Sequence, residues 1–533
     1  MYWADELAAR VSGPQVVNDS KTPSGTVHVG SLRGPVILDA IARALRDRDL
    51  ETTLLYGVDD LDPMDAQALL TPDAVDRYMG VPLAHVPDPG DDGHASYARH
   101  FAGLFIDTFV GLGIHPDRYY WMSELYAAGD MDRYLRVALD RAQLVREIYR
   151  RVSRVERPEG WLPVHVICPR CGRVGTTLAR DWDGETVAFE CLPDLVEWAR
   201  GCGNGGRLAP FGGSAKLPWN LEWAAQWSHF GVTIEPCGKD LATRGGSRDR
   251  SDAIAREVFE REPPLNVPYE FLNIGGRKMS TSKGRGAAAH RIAEVVPAEQ
   301  LRLLFLRPRP NQAIDWDPEG TDAIPRLFDE SDRIAAAAAG REVKGELPPD
   351  PQRLHALTLV DADVDAAGEA AAYRPPFAHL AMLVQVPGVD LHARVEAEKG
   401  SPLTSREGEI LEERVRAARA WLEAYAPDRA RIEIRRDALP QAVAELDAAQ
   451  RRAMGTLAGG LPEHWDGEAL QASIFEAAKA TGLPAGPVFI ALYVSFLGKP
   501  HGPRAGWLLA SLDRDFVVER LREAAAADTL DPE

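Results

Sequence analysis

Two short segments hold the residue types that phosphate chemistry needs. The first, Pro23-Ser24-Gly25-Thr26-Val27-His28-Val29-Gly30, is punctuated by glycine and carries one histidine. Small residues let a backbone approach a ligand closely, and a helix that starts just after them presents unpaired N–H groups and partial positive charge to a phosphate. His28 can donate to a phosphate oxygen; the plainer alternative is a strand-to-helix turn with a capping histidine. The second segment, GGRKMSTSKG from Gly275 to Gly284, brings Arg277, Lys278 and Lys283 together with the hydroxyls of Ser280, Thr281 and Ser282. A glycine-flanked loop of this kind can close over a polyphosphate and neutralise the charge that develops as pyrophosphate leaves, with no covalent step. Alone it also reads as a solvated basic loop; the two in this order on one α/β chain point to nucleotide chemistry.

A third set is metal-like. Of five cysteines, four fall between Cys168 and Cys202. Cys168-Pro-Arg-Cys171-Gly is a zinc-knuckle half-site whose tight turn aims two thiolates at one ion, and Cys191 with Cys202, the latter between Gly201 and Gly203, can complete it. Four thiolates leave no open position for water, so such a Zn²⁺ would shape the chain and perform no chemistry. The alternative is a set of free cysteines. Cys237 stands apart.

The elements that must position these residues are legible in outline. QVVNDS, Gln15 to Ser20, reads as a buried strand running into the first loop. Leu32, Val36, Ala40, Ile41, Ala44 and Leu45 then mark an amphipathic helix with basic residues on its other side. Thr52 to Asp60 is a second strand, so the chain opens with a βαβ unit, the start of a parallel sheet that takes ligands at the C-terminal strand edge. From Asp130 to Arg157 the pattern is helical and basic, with Arg141, Arg146, Arg150, Arg151, Arg154 and Arg157 forming either a solvated face or a nucleic-acid contact. The cysteine region looks like an insertion, because strand patterns resume at GVTIEPCGKD and YEFLNIGG. Beyond about Ala298 the sequence is helical almost throughout.

Bulk properties bound the rest. At 533 residues, with 45% apolar and 26% charged, the chain is a folded, multi-domain protein of about three or four domains. The balance of 61 basic against 80 acidic residues, a net charge of -19, excludes a protein that coats nucleic acid through a uniformly basic surface. No apolar run reaches the length of a membrane span and no leader-like N-terminus is present, which predicts a cytoplasmic protein.

His28-Val29-Gly30 and Lys278 to Ser282 resemble the HIGH and KMSKS signatures of class I aminoacyl-tRNA synthetases. TPSGTVHVGSLRG, KLPWNLEWAAQWSHFGV, EPCGKDLATRGGSRD, YRPPFAHLAMLVQ and ALYVSFLGKPHGPRAG make the whole chain similar to the class I lysyl-tRNA synthetases. The resemblance implies a Rossmann-like parallel-sheet catalytic domain with a zinc-binding insertion and an all-α C-terminal anticodon-binding region. The corresponding boundaries are 1–155 and 216–300 for the two catalytic halves, 156–215 for the insertion, 301–385 for a helical connector and 386–533 for the anticodon-binding part. It further implies ATP and Mg²⁺, L-lysine and tRNA(Lys) as ligands, a monomer, and lysine activation that needs bound tRNA. An inactive tRNA-binding paralogue and a nucleotidyltransferase acting on another small molecule are the competing readings.

Carried over by position, His28, Gly30, Lys278, Ser280, Ser282 and Lys283 would be catalytic. Pro23, Ser24, Gly25, Ser31, Gly238, Asp240, Met279 and Thr281 would join them around ATP. Ser31, Thr281 and Leu241 depart from the family's usual histidine or asparagine, lysine and histidine, and Ser31 is expected to cap the helix. A buried ammonium needs a carboxylate and favours aromatic walls. For lysine the candidates are Gly25, Asp60 (with Asp59 or Asp62), Glu270, Tyr269 and Trp219, with Trp223 and Trp227 as further aromatics or simply a core stripe. Arg307, Arg309, Lys499, His501, Arg504, Tyr493 and Trp507 are candidate RNA contacts.

Overall fold

In the computed structural model, residues 1–65, 71–90, 93–278, 287–386, 388–436 and 438–527 are described, with Arg277 and Lys278 by backbone alone. β1 (Gln15–Lys21) takes its strand preference from the β-branched pair Val16 and Val17, and Val17, fully buried, pairs in parallel with Leu54 on one side and Ile234 on the other. Around it stand α1 (Arg33–Arg46), β2 (Thr52–Val58), β3 (Arg118–Trp121), α2 (Trp219–Phe230), β4 (Ile234–Gly238), α3 (Ser247–Glu257) and β5 (Leu265–Tyr269). The five strands make one parallel sheet in the order β5-β4-β1-β2-β3. β1 leads to β2 and β3 on one side while β4 and β5 lie on the other. The strand order therefore reverses between β1 and β4, where a crevice opens in sheets of this kind.

Two details differ from expectation. The edge strand is Leu265–Tyr269, and the apolar run after it, Leu272–Ile274, joins a separate small sheet with Arg277–Lys278 and Ile314–Asp315. Pro268 cannot donate to a ladder, which suits a strand paired on one side only. In addition, α1 has no solvated basic side near its start: every residue from Arg33 to Leu45 is buried. Arg33 donates to the carbonyls of Glu270, Arg309, Pro310 and Gln312 at 2.6–3.3 Å. Arg43 donates to those of Leu359, Val360 and Gly113 and pairs with Asp39 at 2.8 Å. A guanidinium has five donors, and a buried one is tolerated when carbonyls answer them.

The insertion folds as a three-stranded antiparallel sheet, Thr177–Arg180, Val187–Cys191 and Gly205–Leu208, entered and left through the pair His165–Val166 and Ala215–Lys216. These elements belong to one compact unit, residues 1–293, 298–316 and 340–366; the second comprises 294–297, 317–339 and 367–533. The second unit is helical, with its own core around Leu411, Leu457, Ile474, Leu492 and Leu508. Local signals set its helix starts: Thr404 with Glu407, and Asp447 with Gln450, form reciprocal capping boxes. Among the described residues no single helix is long and apolar enough to cross a membrane.

Candidate active site

At the strand reversal lies a cavity of about 420 Å³. Its walls are the C-terminal ends of β1 (Asp19, Ser20, Lys21), β4 (Glu235 to Gly238) and β5 (Tyr269), closed by His28, Gly30 and Ser31, by Asp240, and by Trp219 and Trp223 from α2. The first motif reaches it as a short 3-10 turn, Val29–Leu32, running directly into α1. Ser31 lies within that turn and not at a cap position; neither helix start carries a side-chain cap. Gly25 sits at φ 147, a conformation open to glycine alone. At Gly34 a Cβ would fall 2.6 Å from Asp19 Oδ2 and 3.1 Å from the Tyr269 hydroxyl, so the first turn of α1 can abut both only as glycine.

The second motif is anchored beside the first. Its entry is the short strand Arg277–Lys278, paired with Ile274 and Asn273. Its exit is bound to the HVG segment: Val29 N–H donates to Ala287 O and Ala289 N–H to Val27 O, both at 2.9 Å, and His28 bridges Ala288. Met279, Ser280, Thr281, Ser282 and Lys283 lie outside the described residues, as does the Lys278 side chain. The backbone nonetheless tethers both ends of that loop to the cavity rim.

One end of the cavity is acidic. Glu235 accepts from Trp223 Nε1 and Trp227 Nε1, both at 2.6 Å, and from Asn18 Nδ2 at 3.1 Å. Burial pushes it up to about 7. The tryptophan stripe therefore does more than fill the core: two indoles hold this carboxylate, and Trp219 stacks on Trp223 at 5.1 Å and lines the cavity. Asp59 accepts from Gln226 at 2.8 Å and Ser20 at 3.0 Å, and burial, then Asp62, pushes it up to about 6. Asp19 is pushed up to about 7 by burial, opposed by Lys21, whose own pKa burial lowers. Buried carboxylates beside aromatic walls suit a cationic ligand, whose charge would draw their raised pKa values back down.

Other expected residues are placed elsewhere or are engaged. Asp60 turns away and accepts from the Ser123 N–H at 2.8 Å and the Ser123 hydroxyl at 2.5 Å. Pro23 and Gly25 shape the loop without lining the cavity. Glu270 lines it but is ion-paired with Lys239. Asp240 approaches Gly238 so closely that a Cβ there would fall 2.7 Å from Asp240 Oδ1. Sequence reasoning passed over Asp19, Lys21 and Glu235. For Glu235 the available signal was the one charged residue of a short parallel strand, and for Asp19 and Lys21 it was charge at the end of the strand that enters the glycine-rich turn.

Behind this wall runs a buried ionic network. Thr22 donates to Asp62 Oδ2 at 2.6 Å, Lys216 Nζ lies 2.6 Å from Asp62 Oδ1 and 3.0 Å from Glu222 Oε1, and Tyr126 donates to Glu222 Oε2 at 2.7 Å. Lys216 is the last residue of the insertion's returning strand, so this network ties the insertion to the cavity wall.

The four insertion cysteines converge. Their sulfurs lie within 4.8 Å of one another, with Cys168···Cys202 at 3.7 Å and Cys171···Cys191 at 3.6 Å. A tetrahedron of sulfurs about 2.3 Å from a central zinc has an edge of about 3.8 Å, so the donor set and its spacing fit the ion. Donors reach two of the sulfurs, the Cys202 N–H to Cys191 Sγ at 3.3 Å and Asn204 Nδ2 to Cys168 Sγ at 3.7 Å, although burial raises the pKa of Cys171 and Cys191. Burial raises Cys168, but N–H groups of Cys171 and Arg170 outweigh it and bring the thiol down to about 7. Cys237 is outside the cluster and lines the cavity.

With this geometry in view, comparison with known proteins is decisive. A family model described as tRNA synthetases class I (K) matches residues 1–355, and one described as an anticodon binding domain matches 403–525. The chain is 32% identical to the lysine–tRNA ligase of Archaeoglobus fulgidus over 98% of this chain and 100% of that one. It is also 32% identical to lysine–tRNA ligase 1 of Methanosarcina acetivorans, over 100% and 99%. The chain belongs to the class I (K) tRNA synthetases. A solved glutamate tRNA ligase from Elizabethkingia meningosepticum aligns over 96% of this chain and 99% of that one, but at 12% identity and a TM-score of 0.39 it carries no argument. Family membership directs attention to the helical unit, where the expected RNA contacts prove partly committed. Lys499 donates to the carbonyls of Asp428 and Arg431, Tyr493 donates to Pro503 O, and Arg504 stacks 3.9 Å over the Trp507 ring. Arg309, in the first unit, is paired with Glu6 at 2.9 Å.

Proposed function

We propose that this protein charges tRNA(Lys) with L-lysine: it activates the amino acid with ATP to lysyl-adenylate, releasing pyrophosphate, and transfers lysyl to the 3′ end of the tRNA. One observation carries the reading at the level of the site. A single cavity joins a glycine-rich turn at a helix start to an acidic, tryptophan-walled end, and the KMSTSK loop is anchored beside two residues of its lining, Leu272 and His28. The near full-length likeness to lysine–tRNA ligases supports the choice of amino acid.

In this reading the α-carboxylate oxygen of lysine attacks the α-phosphorus of ATP and the bond to the β-phosphate oxygen breaks, so pyrophosphate leaves. His28 and Gly30 at the start of the turn hold the phosphates, with Pro23, Ser24, Gly25 and Ser31 shaping the approach. Gly238 and Asp240 meet the nucleoside. Lys278, Met279, Ser280, Thr281, Ser282 and Lys283 supply the loop that meets charge building on the departing pyrophosphate, an effect worth most where water is excluded. Mg²⁺ would supply further neutralisation at the phosphates when bound. The ammonium of lysine lies among Trp219, Tyr269 and the buried carboxylates, with Glu270 at the rim. Zn²⁺ held by Cys168, Cys171, Cys191 and Cys202 would fix the insertion 156–215. The helical residues 301–385 connect to an anticodon-binding part, 386–533.

The test is aminoacylation of total tRNA with each of the twenty amino acids in parallel, with ATP and Mg²⁺. Charging with lysine alone is expected. Charging with another amino acid would keep the chemistry and discard the specificity, and tight tRNA binding without charging would mark an inactive paralogue.

A further inference from the structure

The basic segment that follows Asp130 is not spent uniformly on the fold. Arg141 donates to the carbonyls of Glu257 and Val258, Arg146 to Trp161 O, and Arg157 packs over the rings of Tyr149 and Trp161. What remains gathers at a second cavity, of about 820 Å³, where the helix Ala142–Ser153 ends against the start of α3. Four arginines face it: Arg151, Arg154, Arg244 and Arg256.

The carboxylates in its wall are already engaged. Asp249 accepts from the Gly245 N–H and Asp252 from Arg248 Nε, both at 2.7 Å, while Glu257 is paired with Arg151. Arg256 is paired with Glu262 at 3.2 Å. Arg154 and Arg244 are left over. Both are exposed, and among the described residues neither has an ion-pair partner or a stacked ring; Arg150, one turn back along the helix, is in the same state. Arg154 also closes the helix at φ 57, a left-handed position that favours glycine, yet the sequence keeps an arginine there. In a protein of net charge -19, uncommitted guanidiniums in one concave site are a strong local departure.

Placement gives the charge a purpose. Arg244 follows Asp240, which lines the nucleotide cavity, by four residues of the segment GKDLATR. An extended chain of that length spans at most about 14 Å. A polyanion lying across the groove therefore ends within reach of the cavity where acyl transfer takes place.

We infer that this groove seats the phosphodiester backbone of the tRNA just before its 3′ end, through Arg154 and Arg244. The inference rests on the proposed tRNA-charging reading and adds the path by which the acceptor strand arrives.

The experiment compares the full-length protein with R154G/R244Q and R154K/R244K, measuring binding of a labelled tRNA(Lys) transcript by anisotropy from 50 to 300 mM KCl, alongside lysine charging. Arg154→Gly suits the left-handed backbone, so the charge is removed without strain. Each lost phosphate contact should lower the slope of log affinity against log salt by about 0.7–0.9. The R154G/R244Q variant should thus lose about 1.4–1.8 of slope and bind about 15- to 30-fold more weakly at 150 mM salt. Its KM for lysine and its kcat at saturating tRNA should stay within twofold of wild type, and R154K/R244K should keep most of the slope. An unchanged slope in R154G/R244Q overturns the inference, as does a fall in kcat with no change in slope. If wild type binds tRNA but charges nothing, the charging reading fails, and the slopes still decide the groove.

Discussion

Lys216 offers the sharpest test of how the insertion and the active site depend on each other. Its side chain is 3% exposed, between Asp62 at 2.6 Å and Glu222 at 3.0 Å, and Glu222 is 1% exposed. Burial alone lowers the pKa of such an ammonium, but Asp62 and Glu222 outweigh it and hold Lys216 above its ordinary value. Lys216→Met keeps the stem volume and removes the charge, leaving Glu222 with Tyr126 as its remaining hydrogen-bond donor. Removing one member of a buried ionic set costs about 3–5 kcal/mol, because the partner charge is stranded.

The pH dependence follows from Glu222, which burial already pushes up to about 7 against an ordinary 4.5. A carboxylate raised in the folded state stabilises the fold below its unfolded pKa, and that contribution is lost as pH rises through the folded value. Without the ammonium the folded pKa rises further. The K216M deficit should therefore be largest near pH 8 and shrink by up to about 1.4 kcal/mol as pH falls to about 7, below which Glu222 is protonated in both proteins and the deficit levels off. Denaturant unfolding read by tryptophan fluorescence is the assay, since Trp219, Trp223 and Trp227 share α2 with Glu222. Adding Glu222→Gln to K216M should recover about 1–3 kcal/mol at pH 8. A deficit below about 1 kcal/mol, or one that does not change with pH, would refute the reasoning.

Three further outcomes are expected. His28→Ala and Lys278→Ala should each reduce the rate of adenylate formation by about 10²–10³ while tRNA affinity changes little; equal losses in both would indicate a folding defect. Metal analysis of the purified protein should find one zinc per chain, and Cys171→Ser should lose the metal and loosen the insertion, seen as proteolytic cleavage between 156 and 215; zinc-free protein with an intact insertion would refute the site. The apparent KM for lysine should begin to rise below about pH 7, where Asp19 takes up a proton, and rise more steeply below about 6, where Asp59 does, by about tenfold per pH unit for each carboxylate that must be charged to attract the ammonium; a flat profile from pH 5 to 8 would remove these carboxylates from the amino-acid site.

What could be read in the sequence was local. The strand, glycine-rich turn and helix from Gln15 to Arg46 follow from β-branched runs, turn formers and helical spacing within a few residues of one another. The Cys-x-x-Cys turn and the capping boxes of the helical unit are equally short-range. The two signature segments and the longer stretches around them were enough to place the chain in its family. The amphipathic reading of α1 failed at Arg33 and Arg43, because both guanidiniums are buried against carbonyls supplied by residues 270–312 and 359–360, which no window on the helix contains.

The tertiary structure alone decided which charged side chains face the cavity. Asp59 and Asp60 follow directly on the end of one strand, yet Asp59 lines the cavity while Asp60 is taken by Ser123, which arrives from beyond β3. Glu235 is held by indoles from α2 and an amide from β1, and Lys216 reaches Asp62 across a whole inserted sheet. A carboxylate's charge state and availability depend on how deeply it is buried and on donors brought from distant parts of the chain. Sequence spacing specifies residue type and local backbone; only the packed fold specifies which of those groups remain for a ligand.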